Sequence, residues 1–130
     1  MQALCESTVP KLTVVTRKGY GLAHFAMGGR GIDPDALFAW PSASIGMMGP
    51  DAGVNVVYAR ELSDSDDRAG LEHELTSAFL DAAAPYLAAE MAAIDDVIDP
   101  RDTRRRLISA LEATDAKVAG QLGYKHGIGP

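Results

Sequence analysis

The chain has 130 residues, enough for one hydrophobic core and too few for two. With 47% hydrophobic and 23% charged residues, its composition excludes overall disorder. A formal net charge of −6 without an offsetting basic stripe excludes nucleic acid and anionic membranes as main partners, and no window is long and apolar enough for a membrane span.

The first residues, Met1-Gln2-Ala3-Leu4, lack the charged and apolar regions of a signal peptide, so a cytoplasmic location is expected. Cys5 is the single cysteine, which rules out an internal disulfide framework. No partner base can be named for it, and it reads as a small buried apolar residue. Leu12-Thr13-Val14-Val15-Thr16 is a β-branched run suited to a buried strand, and Gly19 and Gly21 permit a sharp turn after it. Leu22 to Gly28 reads as a short helix, stopped by Gly28-Gly29-Arg30-Gly31. A helix opening straight after such a turn starts with unpaired amides, which with the positive end of the helix dipole can hold a developing oxyanion. An ordinary strand-to-helix connection has the same residues.

Asp33-Pro34-Asp35 is turn chemistry, and Ala36 to Trp40 and Ala43 to Met47 read as two short strands separated by Pro41. Gly49-Pro50-Asp51 opens a second helix, where proline loses no intrahelical bond. Its Val54, Val57 and Tyr58 form one apolar stripe, expected to pack on the sheet. Glu61 to Gly70 is an acidic stretch that reads as a solvated loop ending in helix-capping signals. Leu71, Leu75, Ala78, Phe79 and Ala82 then recur at helical spacing until Pro85, after which an alanine-rich segment through Ala93 has helical propensity. Ile94 to Ile98 reads as an edge strand or extended connection. Asp99-Pro100-Arg101-Asp102 opens a C-terminal helix with Leu107, Ile108, Leu111, Val118 and Leu122 on its buried side, and a glycine-containing tail begins at Gly123. Strands interleaved with helices argue for an α/β fold, and periodicity alone leaves the topology open.

Several residues that invite chemistry read more simply as structure. Arg104, Arg105 and Arg106 point in different directions on a helix and suit a solvated face pairing with Asp102 or other nearby acids. Asp95 and Asp96 would face opposite sides of a strand and have no histidine or cysteine set beside them, so no metal site is expected. His73 has no second histidine at i+4 and is expected to be exposed. Met47 and Met48 by themselves read as core filler.

Four blocks in order carry a resemblance. They are Val9 to Met27, then Ala39-Trp40-Pro41-Ser42-Ala43-Ser44-Ile45-Gly46-Met47-Met48-Gly49-Pro50 with Gly53 to Tyr58, then Pro85-Tyr86-Leu87-Ala88-Ala89, and finally Ile94 to Leu107 with Lys125-His126-Gly127. Together they resemble the carboxyltransferase (β) subunit of biotin-dependent acyl-CoA carboxylases, the propionyl-CoA and acetyl-CoA carboxylase group, over the start of its C-terminal half. The resemblance implies a crotonase-like (ClpP/crotonase) spiral of β-β-α units. It implies that residues 1–130 form one carboxyltransferase C-terminal domain, with Met1 inside a preceding helix and the N-terminal CoA-binding half absent.

The implied activity is transfer of a carboxyl group from carboxybiotin, delivered on a separate carrier protein, to the α carbon of an acyl-CoA. The alternatives are a biotin-dependent acyl-CoA decarboxylase subunit and a non-catalytic assembly module; an enoyl-CoA hydratase or isomerase would need pocket carboxylates that cannot be placed. The resemblance puts the donor amides of the C-terminal oxyanion hole at Leu22 and Ala23 after Gly21. Leu22 departs from the usual second glycine, and a leucine there disfavours positive φ and crowds the approach. Phe25 and His24 are the implied substrate-binding residues: an apolar Phe25 suits an acyl chain, and a core aromatic is its other reading. His24 has a pKa suited to acid–base work, but the family has no fixed protein base here and the biotin ureido nitrogen takes the α-proton. Gly46, Met47 and Gly49 fall beside the implied biotin site, or pack a strand end against a helix. The implied partners are a biotin carboxylase/biotin carrier subunit and an N-terminal carboxyltransferase half. Oligomerisation through apolar contacts is expected, without a bound metal.

Overall fold

The computed structural model describes residues 2–114. A short helix α1 (Gln2–Glu6) precedes two successive β-β-α turns. The first is β1 (Leu12–Val15), β2 (Lys18–Tyr20) and α2 (Gly21–Ala26); the second is β3 (Ala36–Ala39), β4 (Ser44–Gly46) and α3 (Pro50–Val57). Equivalent strands pair in parallel, Leu12 to Val15 against Ala36 to Ala39 and Lys18 to Tyr20 against Ser44 to Gly46. The strand β5 (Asp96–Val97) joins the other edge of β3, so one sheet has the order β1-β3-β5 and the second is β2-β4. Four helices complete the described chain: α4 (Ala59–Asp64), α5 (Arg68–Ala82), α6 (Pro85–Glu90) and α7 (Thr103–Ala113).

All four residues of β3 are buried, as expected of a central strand covered on both faces. Leu37 and Ala39 pack with Val15, Ala43 and Ile94 on one face, and Ala36 and Phe38 with Ile98 on the other. The second face is closed by α7: Trp40 donates its indole N–H to Thr103 Oγ1 at 2.9 Å, and the Arg106 guanidinium lies 5.5 Å above the Phe38 ring while pairing with Asp96. Asp99 starts the approach to α7 by accepting from the Arg101 N–H at 2.8 Å, and the Arg101 side chain lowers the Asp99 carboxyl to about 2. Arg105 pairs with Asp102, in keeping with the solvated face expected for this arginine run.

Five expectations change. Gly19 is not in the turn but in β2, where Lys18-Gly19-Tyr20 is held by pairing to β4, a long-range constraint invisible to local propensity. The acidic stretch is mostly helix: Leu62, 2% exposed, anchors α4, and the loop is reduced to Ser65, Asp66 and Asp67, whose carboxylate accepts from Gly70 N at 3.0 Å to start α5. The helix α3 packs chiefly on α5 rather than on a sheet. Gly53 makes that approach possible, because a Cβ there would stand 2.5 Å from the Phe79 ring. Val54 is buried and Tyr58 meets Phe79 edge-on at 6.3 Å, but Val57 is 56% exposed. On α7, Leu107 packs on the core while Ile108 and Leu111 are exposed. Cys5 is half-buried rather than buried.

His73 is exposed as expected, and α6 opens with Pro85 at its first turn. Val118, Leu122, the tail from Gly123 and the Lys125-His126-Gly127 block lie outside the described residues. Among the described residues no helix is long and apolar enough to cross a membrane.

Candidate functional site

The helices α2 and α3 start at the C-terminal ends of the paired strands β2 and β4, where ligands bind in open parallel sheets. Tyr20 is the register partner of Gly46, so each strand's following turn reaches the same corner. Gly21 has φ +58°, and a Cβ there would stand 3.0 Å from the Met47 carbonyl oxygen. Both facts demand glycine at this position. The left-handed residue is thus Gly21 and not Leu22: Asp33 and Ala92 are the described non-glycine residues with positive φ. The departure at Leu22 therefore costs no backbone strain, and its side chain, 72% exposed, points away from the fold.

Tyr20 caps α2 in an extended conformation without a side-chain bond to the helix start. The amides of Gly21, Leu22 and Ala23 occupy the first three helical positions, which have no intrahelical acceptor. The next residues of α2 border a cleft of about 320 Å³ whose walls include His24, Phe25, Ile45, Gly46, Met47 and Met91. Leu87 of α6 and Arg30 also border it, and Arg30 is the one charged group in the lining among the described residues.

Four of the residues singled out from sequence, His24, Phe25, Gly46 and Met47, come together on this cleft. Ala23 instead lines a neighbouring groove of about 550 Å³ that runs along β1 and β2 and shares His24 with the cleft. Gly49 is separated from Gly46 and Met47: it lines a third depression, about 420 Å³, with Lys18, Tyr20 and Pro50, and a Cβ there would stand 3.4 Å from the Tyr20 ring. Met47 is 72% exposed and Met48 39%, so neither is core filler.

Sequence reasoning missed Leu87 and Met91, whose i, i+4 spacing across the end of α6 was the available signal. It also missed the role of Asp95. One Asp95 oxygen accepts from Arg30 at 2.6 Å and the other from Leu37 N at 2.7 Å. Asp95 and Asp96 face different partners, Arg30 and Arg106, as their strand placement predicts.

Comparison with known proteins extends this geometry. The family described as "Carboxyl transferase domain" matches residues 1–128. The chain belongs to this carboxyltransferase family. It is 43% identical over its whole length to the methylmalonyl-CoA carboxyltransferase 12S subunit of Propionibacterium freudenreichii subsp. shermanii, covering 25% of that protein. It is 42% identical over 98% of its length to the propionyl-CoA carboxylase carboxyltransferase subunit of Haloferax mediterranei, again covering 25%. The transcarboxylase 12S structure, solved with methylmalonyl-coenzyme A and methylmalonic acid bound and described as a hexamer assembly, superposes with a TM-score of 0.86 at 44% identity. That superposition covers 96% of this chain and 24% of the 12S chain. The fold of this carboxyltransferase chain is therefore crotonase-like. The chain spans about a quarter of the length of these relatives, a smaller share than the half its motifs suggest.

Proposed function

We propose that this chain is the C-terminal part of a biotin-dependent acyl-CoA carboxyltransferase, which moves a carboxyl group from carboxybiotin to the α carbon of an acyl-CoA. The observation that carries the reading is the apposition of Gly21 with the Met47 carbonyl, which brings α2 against Met47 at an apolar cleft that His24 and Phe25 border. Carboxyl transfer develops negative charge on a carbonyl oxygen, and fixed N–H dipoles stabilise such charge better than reorienting water. The amides of Leu22 and Ala23 are the proposed donors.

The residues present fit the implied groups. Phe25, Ile45 and Met47 offer apolar walls for a ring or a short acyl chain, and a Cβ at Gly46 would meet nothing closer than 3.6 Å, so the wall there is open. When bound, biotin supplies a transferable carboxyl group on its ureido nitrogen. In this reading Phe25 and His24 contact the substrate side and Gly46 and Met47 border the biotin side, while Gly49, also expected there, lines the separate depression with Lys18, Tyr20 and Pro50. Asp95 and Asp96 are taken up by arginines, and the reading assigns no metal. The proposed partners are a biotin carboxylase/biotin carrier subunit and an N-terminal carboxyltransferase half, in a cytoplasmic oligomer. Leu22, Met27, Met47, Val56 and Met91, each more than 60% exposed, supply apolar surface for association.

A second reading, decarboxylation by the same transfer in reverse, is favoured by 37% identity to the methylmalonyl-CoA decarboxylase α subunit of Propionigenium modestum. The non-catalytic reading loses one of its supports, because Leu22 leaves the turn unstrained.

The test is complementation. The purified chain alone should show no carboxyl transfer from carboxybiotin to propionyl-CoA or acetyl-CoA, and mixing with the separately supplied remainder of the carboxyltransferase, its N-terminal half included, should restore it. Turnover by the chain alone would overturn the need for a second half. Folded halves that associate without turnover would favour the assembly module.

A further inference from the structure

His24, half-buried between the groove and the cleft, fits tightly between two glycines. Its Nδ1 lies 3.0 Å from where a Cβ on Gly19 would stand, and its Nε2 3.2 Å from where a Cβ on Gly29 would stand. Gly19 belongs to β2 and Gly29 follows α2, and both are buried. The imidazole is therefore a wedge between the strand that enters the turn and the chain that leaves it. Val15 Cγ1 approaches the same Gly19 position at 3.2 Å, and the Phe25 ring centroid lies 5.8 Å from that of His24.

Among the described residues lining the groove and the cleft there is no counter-ion for a charged ring. Arg17 and Lys18 line the groove on one side of His24, with Tyr20 beside them, and Arg30 borders the cleft on the other. Asp95 already holds Arg30 and Leu37 N. The strand β4 and the helix α6 present only apolar groups to the cleft. Among the described residues no hydrogen-bond partner is found for the ring. Burial accordingly pushes the His24 pKa below 6.5.

We propose that His24 is a positioning residue that keeps α2 seated against β2 and Met47 only as a neutral ring, and that its protonation unseats α2 and opens the wall between the groove and the cleft. The proposal deepens the carboxyltransferase reading and rests on it for any consequence for turnover, but the contact it concerns can be observed without activity. The sign of the pH effect follows from linkage. Because the folded-state pKa is lowered, the unfolded chain binds more protons below its own value of about 6.5; the neutral ring costs nothing above that pH, and stability falls as pH drops below it.

The experiment is NMR on the full chain, following the His24 ring and the proton–proton contact between Gly21 and Met47. Between pH about 7.5 and about 5 the contact should weaken several-fold, with a midpoint equal to that of His24 and below the ordinary histidine value of about 6.5. In His24→Phe, where a neutral ring fills the slot, the contact should persist at low pH. In Gly19→Ala, where a methyl group pushes the ring without adding charge, it should already be weak at neutral pH. A His24 midpoint at or above the ordinary value of about 6.5, a contact that survives protonation, or a His24→Phe protein that loses it with the same midpoint would each overturn the proposal. Failure here leaves the complementation test untouched, because that test reads turnover and not the Gly21–Met47 contact.

Discussion

In the first β-β-α turn, β2 runs straight into α2, a six-residue helix without a buried residue. In the second, β4 leads through Gly49 to Pro50 and an eight-residue α3 whose Gly53 and Val54 are buried. Strand pairing gives both turns the same path, so the difference lies in what occupies each helix. At the first helix start a left-handed glycine lies against Met47, and the adjoining side chains border open clefts. At the second, a proline fixes the helical φ and the following residues are filled by Phe79 from α5. One turn therefore presents the side chains of its helix to clefts, while the other packs its helix on α5 and leaves its first residues, Pro50 to Ala52, on a depression of their own, on an unchanged topology.

Substitutions at the two glycines should separate these roles. The largest loss is expected for Gly53→Ala, which overlaps the Phe79 ring and should cost about 2–3 kcal/mol in urea unfolding. A loss below about 0.5 kcal/mol would mean that α3 and α5 slide apart freely and that the scaffold turn is softer than its contacts indicate. Gly21→Ala forces an alanine into the left-handed region and should cost about 1–2 kcal/mol, while abolishing transfer in the complemented enzyme. Retained turnover with that stability loss would remove Gly21 from the site and leave it only a turn residue.

Asp95 ties the segment after the first turn to the first strand of the second, through Arg30 and Leu37 N. Both charged partners are more than a third exposed, so solvent screens the pair. Asp95→Ala should cost about 1 kcal/mol, mostly from the unsatisfied Leu37 amide, and Arg30→Ala should cost less. Equal losses would instead assign the effect to the ion pair. The smallest effect is expected for Leu22→Gly: below about 1 kcal/mol, with turnover retained, because the side chain is exposed and its backbone is unstrained. Restored or raised turnover in Leu22→Gly would show that the leucine obstructs the amides after all.

Much of this was legible in the residues. The run Leu12 to Val15, the apolar Ala36 to Ala39 and the Gly-Pro opening of α3 are strong local signals, because burial on both faces and helix capping leave marks within a few positions. The Lys18-Gly19-Tyr20 strand left no such mark, since three residues with a central glycine acquire strand geometry only by pairing with Ser44 to Gly46. The acidic stretch hid α4 for a similar reason: one apolar residue, Leu62, reaches the core, and its burial outweighs the polar composition around it.

The candidate site divides along the same line. Gly21 and the residues of α2 were readable because a glycine before a helix start is a local event, and so was the family to which the ordered motifs point. That Phe25 shares a cleft with Gly46 and Met47, that Gly49 lies elsewhere, and that His24 is wedged between Gly19 and Gly29 could be decided only by the parallel register of β2 and β4 and the packing of α6 across their ends. Local propensity acts over a few residues of chain. The walls of the cleft come from segments more than 60 positions apart, and long-range pairing alone brings them into contact.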